Sequence, residues 1–130
     1  MDDKHRILIC EDNTATRTVI KFNFENAGFD VTDVPSGLHG WERVQREHFD
    51  LIVSDQQMPD MGGAELCERI RQLEEYDDTP FLLLTAKSFE LNAERLKEEL
   101  GVSDVMCKPF SPSQLVRRAK SLLAIPMDTQ

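Results

Sequence analysis

Short apolar runs alternate with longer stretches of mixed polarity along this chain. Five of these runs predict β-strands: Ile7–Cys10, Val31–Val34, Leu51–Ser54, Phe81–Leu84 and Val105–Cys107. In the stretch after each run, apolar residues recur every three or four positions, which predicts five helices. This alternation is typical of an α/β fold in which helices cover both faces of a doubly wound, five-stranded parallel sheet.

The apolar positions of the predicted helices form stripes that we expect to face the core. They are Val19, Ile20, Phe24 and Ala27; Leu38, Trp41 and Val44; Leu66, Ile70 and Leu73; Ala93, Leu96 and Leu100; and Leu115, Val116, Ala119, Leu122 and Leu123. Gly28 and Gly101 follow the first and fourth stripes and predict helix ends. Ser111, Pro112 and Gln114 predict a cap, a first-turn proline and a capping-box partner for the last helix.

Composition limits the number of domains and the kinds of partner. With 130 residues, 40% of them hydrophobic, we expect one domain, residues 1–125, and a short C-terminal tail, residues 126–130. The net charge of -9 argues against direct nucleic-acid binding, which needs a basic face. No run approaches the roughly 20 apolar residues of a membrane helix, so we predict a cytoplasmic protein without membrane contact. The widely spaced Cys10, Cys67 and Cys107 are predicted to be buried, reduced thiols.

Polar residues that can carry chemistry follow four of the predicted strands. Glu11 and Asp12 come after the first strand, Asp55 after the third, Thr85 after the fourth and Lys108 after the fifth. Ligands of doubly wound folds bind outside the carboxyl ends of the strands, where the strand order reverses. If the strands are parallel, these side chains meet at that edge.

A cluster of three carboxylates needs a counter-charge. Two carboxylates about 4 Å apart repel by roughly 4 kcal/mol at the effective dielectric of a protein surface. A divalent cation supplies the counter-charge, and oxygen ligands without cysteine or histidine favour Mg²⁺, with Mn²⁺ as a second candidate. The remaining coordination positions invite a phosphoryl group, which Lys108, the Thr85 hydroxyl and the Ala86 N–H could bind. Asp55, in the middle, is the best candidate for the nucleophile.

In its motifs the chain resembles the receiver domain of bacterial two-component response regulators, and single-domain chemotaxis regulators in particular. The matching residues are Glu11-Asp12, Asp55 with Met58-Pro59 and Gly62, Thr85-Ala86, and Lys108-Pro109-Phe110. The resemblance covers residues 6–123 and implies a flavodoxin-like fold with strand order 2-1-3-4-5. It implies a phosphorelay protein that accepts a phosphoryl group on Asp55 from a sensor histidine kinase or a histidine phosphotransfer protein. Such a protein is not a classical enzyme, since it catalyses only its own phosphorylation and dephosphorylation.

The resemblance also implies which residues hold the cation. Asp12 and Asp55 would contact Mg²⁺ directly, Glu11 through water, and Gln57 through its backbone carbonyl. Gln57 and Lys87 occupy the positions that, in this family, tune how fast water attacks the acyl phosphate.

Further roles concern the phosphoryl group and the response to it. The resemblance implies that Lys108 pairs with the phosphoryl group, that the Thr85 hydroxyl moves toward it beside Ala86, and that the Lys108–Pro109 peptide bond is cis. Val105 departs from the family pattern, because a Tyr or Phe whose inward swing accompanies the threonine movement usually stands there. We therefore predict that Thr85 still closes on the phosphoryl group while the surrounding face repacks by a backbone shift.

The implied output is a changed affinity for a downstream protein, which the sequence does not name. A homodimer through the face of helix 4, strand 5 and helix 5 is one candidate interaction. The charged residues that this face offers are Glu90, Glu94, Arg95, Lys97, Arg117 and Arg118.

Three other functions compete with this interpretation. A phosphatase of the haloacid dehalogenase type needs a second aspartate two residues after the nucleophile, where Gln57 stands. A nucleotide-binding or flavin-binding module needs a glycine-rich loop after the first strand, where residues 11–14 are acidic and polar. A phosphorylation-independent interaction module is the main alternative, and Val105 is the sequence feature in its favour.

Overall fold

The computed structural model describes residues 4–86 and 93–125, with the side chain of Ala93 excepted. The predictions for Lys87, for Glu90 and for the tail, residues 126–130, lie outside the described residues. The proposed domain boundaries stay a prediction.

Strands and helices alternate along the described chain, as predicted. The elements are β1 (Arg6–Cys10), α1 (Thr14–Asn26), β2 (Asp30–Val34), α2 (Gly37–Arg46), β3 (Leu51–Asp55), α3 (Gly63–Ile70), a 3₁₀ turn (Glu74–Tyr76), β4 (Phe81–Thr85), α4 (Ala93–Leu100), β5 (Asp104–Cys107) and α5 (Pro112–Leu122). The five strands are all parallel and lie in the order β2-β1-β3-β4-β5. The predicted flavodoxin-like fold is confirmed.

Two hydrophobic cores lie on opposite faces of the sheet. Alternate residues of each strand enter different cores, so that Ile7 and Ile9 pack on the α1 and α5 side while Leu8 and Cys10 pack on the side of α2 and α3. The strands β3 and β4 are buried along their whole length. Continuous burial explains why these strands are continuous apolar runs in the sequence.

Several predicted core residues are not buried. Val19 is 47% exposed and Leu38 is 44% exposed, so their placement in the core was wrong. Val19 stands beside the buried Ile20 at the edge of the helical stripe, and Leu38 lies in the first turn of α2. Cys107 is only partly buried, unlike Cys10 and Cys67.

The predicted helix ends are confirmed. Gly28 and Gly101 have φ angles of 99° and 78°, a left-handed conformation that glycine adopts without strain. The Ser111 side chain accepts a hydrogen bond from the Gln114 N–H, and the Gln114 side chain accepts one from the Ser111 N–H. The capping box therefore fixes the start of α5, directly after the strand exit that carries Lys108.

None of the helices in the described ranges has the length and apolar character that a membrane-spanning segment needs.

Polar contacts of Arg6 and Tyr76 hold together the amino ends of the strands. Arg6 Nη2 donates to Glu47 Oε1 at 2.7 Å, and Arg6 Nε lies 3.6 Å from Asp30 Oδ2. The hydroxyl of the fully buried Tyr76 donates to the Glu47 carbonyl at 2.6 Å and accepts from the Phe49 N–H at 3.3 Å. These contacts join β1, β2 and the loop between α2 and β3 at the end of the sheet opposite to Asp55.

Replacing Glu47 with glutamine should reduce the loss in free energy of unfolding that occurs when the pH is lowered into the acid range. Hydrogen bonds from Arg43 and then Arg6 lower the pKa of Glu47 from 4.5 to about 2. Its ionised form therefore stabilises the fold above pH 4.5, and this contribution is lost as the pH falls toward 2. Since the ion pairs are partly exposed, we expect Glu47→Gln to lower the free energy of unfolding by about 1 kcal/mol at neutral pH.

Urea denaturation at a series of pH values measures this effect. Glu42→Gln is the matched control, because Glu42 is an exposed glutamate of α2, the helix that ends just before Glu47. The free energy of unfolding should fall less steeply with acid for Glu47→Gln than for the natural chain or the control. Parallel profiles for all three proteins would contradict this role of Glu47.

Candidate functional site

The acidic residues at the strand exits meet at the carboxyl edge of the sheet. Strands β1 and β3 are neighbours and pair Cys10 with Ser54, so the next residues, Glu11 and Asp55, come side by side. Each of Glu11, Asp12 and Asp55 offers a carboxylate oxygen, and these atoms lie within 4.8 Å of one another. This is where the strand order reverses, because the chain leaves β1 for β2 on one side and β3 leads to β4 on the other.

Glu11 is buried at the centre of this cluster, only 1% exposed. Its Oε2 accepts a hydrogen bond from the Asn13 N–H at 3.2 Å, and its Oε1 has no hydrogen-bond partner among the described residues. Burial, followed by the charges of Asp55 and Asp12, raises the pKa of Glu11, and the Asn13 N–H and Lys108 oppose the shift only in part. The ionised carboxylate therefore lacks a full counter-charge from the protein.

Asp55 is also buried, and its contacts come from two directions. Its Oδ1 accepts a hydrogen bond from the Gln56 N–H at 3.0 Å and lies 3.1 Å from Lys108 Nζ. Lys108 Nζ also lies 3.7 Å from Glu11 Oε1. Carboxylates of ordinary surface loops are solvated, whereas Glu11 and Asp55 are removed from water and share one ammonium group. Glu11 and Asp55 therefore differ from ordinary, solvated loop charges.

The fourth and fifth strands bring a hydroxyl and an ammonium group to the same edge. Thr85 ends β4, is fully buried, and its Oγ1 has no hydrogen-bond partner in the described part of the chain. The Thr85 carbonyl accepts a hydrogen bond from the Lys108 N–H at 2.8 Å, which keeps the two strand exits together. The Lys108–Pro109 peptide bond is cis. Ala86 follows Thr85 and is partly buried.

The loop after Asp55 is held by contacts that the sequence did not predict. Gln56 Oε1 accepts a hydrogen bond from the Ala64 N–H at 2.8 Å and so caps α3, whose own cap residue, Gly62, has no side chain. A Cβ atom on Gly63 would lie 2.5 Å from the Asp55 carbonyl oxygen, so only glycine permits this approach. Gly62 belongs to the motif that the sequence shares with the family, but nothing in the sequence indicated the role of Gln56.

Arg17 is a second residue that sequence reasoning missed. Its Nη1 donates to the Glu11 carbonyl at 2.8 Å, and its Nε donates to Asp33 Oδ2 at 3.1 Å. Arg17 thereby fixes the backbone of the acidic segment from the α1 side. An arginine at a polar position of an amphipathic helix gives no signal of such a contact, because most of these side chains are solvated.

The residues present fit a hard divalent cation. The donors are carboxylate oxygens only, and the buried Glu11 Oε1 without a hydrogen-bond partner is an atom that a cation or its bound water would satisfy. Glu11, Asp12 and Asp55 would hold the ion, which agrees with the prediction of Mg²⁺. Gln57 is exposed, and its role as a carbonyl ligand stays a prediction.

A parallel flavodoxin-like sheet with an acidic cluster and a lysine at its carboxyl edge defines the class of protein. The family described as the response regulator receiver domain matches residues 7–120. The chain therefore belongs to this family, whose members act in two-component signalling and bind Mg²⁺ in an acidic cleft.

Two relatives from Bacillus subtilis (strain 168) are longer than this chain. The transcriptional regulatory protein YclJ is 37% identical over 118 residues, which cover 91% of this chain and 50% of YclJ. The alkaline phosphatase synthesis transcriptional regulatory protein PhoP is 36% identical, over 91% of this chain and 48% of PhoP. The chain thus spans about half the length of these curated relatives.

Solved structures support the same assignment. The chemotaxis response regulator CheY4 of Vibrio cholerae matches with a TM-score of 0.85 and 27% identity, covering 92% of this chain and 99% of CheY4. The receiver domain of the sensor histidine kinase PA1611 from Pseudomonas aeruginosa PAO1 matches with a TM-score of 0.83 and 27% identity, covering 94% and 99%. That structure has a magnesium ion coordinated in its active-site cleft.

Replacing Glu11 with glutamine should stabilise the metal-free protein. The raised pKa of Glu11 means that its ionisation opposes folding increasingly as the pH rises above 4.5. Glutamine removes the repulsion from Asp55, keeps an acceptor for the Asn13 N–H and loses the attraction of Lys108. We expect a net gain on the order of 1 kcal/mol at neutral pH.

Thermal midpoints in EDTA and in MgCl₂ test this expectation. The variant should be more stable than the natural chain in EDTA and should gain less from MgCl₂, because one ligand oxygen is lost. Glu25→Gln, on the exposed side of α1, controls for the change in net charge. A lower midpoint for Glu11→Gln in EDTA would show that the Glu11 carboxylate is not under electrostatic strain.

Proposed function

We propose that this chain is a phosphorylation-dependent signalling receiver that accepts a phosphoryl group on Asp55 from a sensor histidine kinase or a histidine phosphotransfer protein. The observation that carries the proposal is the buried Asp55 carboxylate, with Lys108 Nζ 3.1 Å from its Oδ1 and two further carboxylates beside it. The protein would act only on its own aspartate, so it is a regulator and not a classical enzyme. A cytoplasmic location remains part of the proposal.

The proposed reaction needs positioning and charge neutralisation more than covalent chemistry. A carboxylate oxygen of Asp55 attacks the phosphorus of a phosphohistidine; the new O–P bond forms as the N–P bond breaks, and the leaving imidazole nitrogen keeps the electron pair and takes a proton. Lys108 neutralises charge on the transferred phosphoryl oxygens. Bound Mg²⁺ supplies the remaining positive charge, and Glu11 and Asp12 would hold it with Asp55.

Thr85 and Lys108 would carry the response to phosphorylation. The buried Thr85 Oγ1, for which the described residues offer no partner, can donate a hydrogen bond to a phosphoryl oxygen, as can the Ala86 N–H. Lys108 must turn from Asp55 and Glu11 toward the new charge. Because Lys108 follows β5, its movement would reach Val105, and the affinity for a downstream protein would change.

The face of α4, β5 and α5 is one candidate surface for that partner, including a second copy of the chain. Its charges already contact each other within the protein, since Asp104 pairs with Arg118 and lies 3.7 Å from Lys97 Nζ. A homodimer through this face would exchange these contacts between protomers. This interaction stays a proposal.

We further propose that the phosphodonor protein docks on α1. An open, mostly apolar groove runs between this helix and the strand exit of β5, lined among others by Val19, Ile20, Lys108 and Pro109. On the same helix Phe22 is 64% exposed, three residues after the exposed Val19. Since Lys108 belongs both to the groove and to the phosphorylation site, a donor seated here would hold its phosphohistidine within reach of Asp55.

Intact mass after incubation with Mg²⁺ and acetyl phosphate tests the acceptor site. The natural chain should gain one phosphoryl group, and Asp55→Asn should gain none, because the amide is not a competent nucleophile. EDTA should prevent the adduct on the natural chain. An adduct of equal size on Asp55→Asn would place the acceptor elsewhere, and no adduct on either protein would favour the phosphorylation-independent module.

The docking proposal predicts that Phe22→Ser slows phosphoryl transfer from a protein donor but not from a small-molecule donor. Transfer from a phosphorylated histidine phosphotransfer protein that labels the natural chain should slow about tenfold, as expected for the loss of an apolar anchor. Labelling by acetyl phosphate should not change, because that reaction needs no docking. Leu38→Ser is the matched control, since Leu38 is an exposed apolar residue on α2, which covers the other face of the sheet. Equal slowing by both substitutions would contradict docking on α1.

A further inference from the structure

The loop between β3 and α3, residues 56–62, contacts the first turn of α2 as well as Asp55. Asp60 Oδ1 accepts a hydrogen bond from the Leu38 N–H at 3.5 Å. A Cβ atom on Gly37 would lie 2.2 Å from the Met61 carbonyl oxygen, so the backbones of the loop and the helix touch without space for a side chain. The loop therefore rests directly on the start of α2.

Asp60 is an exposed residue that supplies the polar part of this contact. Although burial raises the pKa of Asp60, hydrogen bonds from the Ser36 side chain and the Leu38 N–H, among others, lower it overall. Ser36 is the cap residue of α2, and its side chain accepts from the His39 N–H at 3.1 Å. A carboxylate at a helix start is stabilised by the free N–H groups and by the helix dipole. Asp60 thus adds a second cap, supplied by a distant loop.

The other end of the loop is fixed to the phosphorylation site. The Gln56 N–H donates to Asp55 Oδ1, and the Gly63 N–H donates to the Gln56 carbonyl at 3.1 Å. Gln57, the predicted carbonyl ligand of the cation, lies between this attachment and Asp60. A shift at either attachment must change the position of the Gln57 backbone.

The same loop and helix share one hydrophobic core. Met61 is buried in the core on the α2 and α3 side, and Met58 packs against that core. Trp41 of α2 packs against it as well and is the one tryptophan of the sequence. Its indole ring is therefore an intrinsic reporter of the contact between α2 and the loop.

We infer that Asp60 is a positioning residue. It anchors the loop on α2, so that the Gln57 carbonyl is held in place for the cation. In turn, the binding of the cation and of the phosphoryl group changes the contact between the loop and α2. The inference rests on the proposed function. If Asp60 supports cation binding, cation binding must strengthen the Asp60 contact to the same extent, because coupling between two sites is reciprocal. This route does not pass through Val105.

The test combines Mg²⁺ affinity, taken from the rise of the thermal midpoint with MgCl₂ concentration, with the fluorescence of Trp41. Three variants are compared with the natural chain. Asp60→Ala removes the anchor and the charge, Asp60→Asn removes the charge but keeps an acceptor for the Leu38 N–H, and Asp78→Ala removes an exposed charge before β4, at the opposite end of the sheet.

Loss of a hydrogen bond of this kind predicts about a three- to tenfold weaker Mg²⁺ affinity for Asp60→Ala. Asp60→Asn should stay within about twofold of the natural chain, since the anchor remains, and Asp78→Ala should match the natural chain. Emission of Trp41 should change on addition of MgCl₂, and further with acetyl phosphate, in the natural chain and in Asp60→Asn. Both changes should be much smaller in Asp60→Ala.

Two results would overturn the inference while leaving the proposed function intact. The first is an equal loss of Mg²⁺ affinity in Asp60→Asn and Asp60→Ala, which would assign the effect to charge and not to anchoring. The second is unchanged Trp41 emission in a natural chain whose midpoint rises with MgCl₂ and whose mass shows the phosphoryl adduct. By contrast, a natural chain that shows neither a midpoint shift nor an adduct would overturn the proposed function together with this inference.

Discussion

The burial of two carboxylates at adjoining strand ends is the constraint on which the rest of this structure depends. The parallel pairing of β1 with β3 brings Glu11 next to Asp55 at the carboxyl edge of the sheet, and both side chains are almost inaccessible to water. Two like charges in such a place are unfavourable unless a positive charge is close. Lys108 is the described cation that contacts both, and its side chain is itself partly exposed. The site is therefore built with less positive charge than it needs.

This shortage of positive charge supports the proposed function, in which one site binds a cation, accepts a phosphoryl group and responds to it. A divalent cation supplies the missing charge, and a phosphoryl group on Asp55 then brings new oxygens that compete for the same partners. Lys108 cannot keep its distances to Glu11 and Asp55 while it pairs with a phosphoryl group. Thr85 is buried with a hydroxyl oxygen that lacks a partner in the described chain, and a phosphoryl oxygen on Asp55 would supply one in the proposed function. The proposed charge change would therefore act on two strand exits, those of β4 and β5.

Most of the fold and the residues of the site could be predicted from the sequence, because both follow from local pattern. Buried parallel strands are continuous apolar runs, and each observed strand lies within one residue of its predicted bounds at either end. The functional residues follow these runs directly, so locating the strands located Asp55 and Lys108. The strand order came from the resemblance to a family and not from the pattern itself. The roles assigned to individual residues came from the same source and stay predictions.

What could not be predicted depends on contacts between distant segments. Arg17 and Asp60 occupy polar positions where a solvated side chain is the ordinary outcome, and their partners, Glu11 and Leu38, lie on other elements. Val19 and Leu38 fit a helical stripe, yet Val19 at the edge of its stripe and Leu38 in the first turn of α2 are exposed. The spacing of apolar residues predicts which face of a helix points toward the core, but it does not show how much of that face another element covers.

Val105 stands where the family usually has an aromatic residue. A rearrangement at Lys108 therefore needs another route to the rest of the protein. Strand β5 is held at its far end, where Asp104 pairs with Arg118 of α5 and lies near Lys97 of α4. Val105 has no ring that could swing and packs against the core beside this fixed end. Lys108 also contacts Asp55, which is hydrogen-bonded to the first residue of the loop between β3 and α3. Residues 56–62 contact both Asp55 and the start of α2, so the proposed response to phosphorylation would have a route besides β5 that needs no aromatic switch.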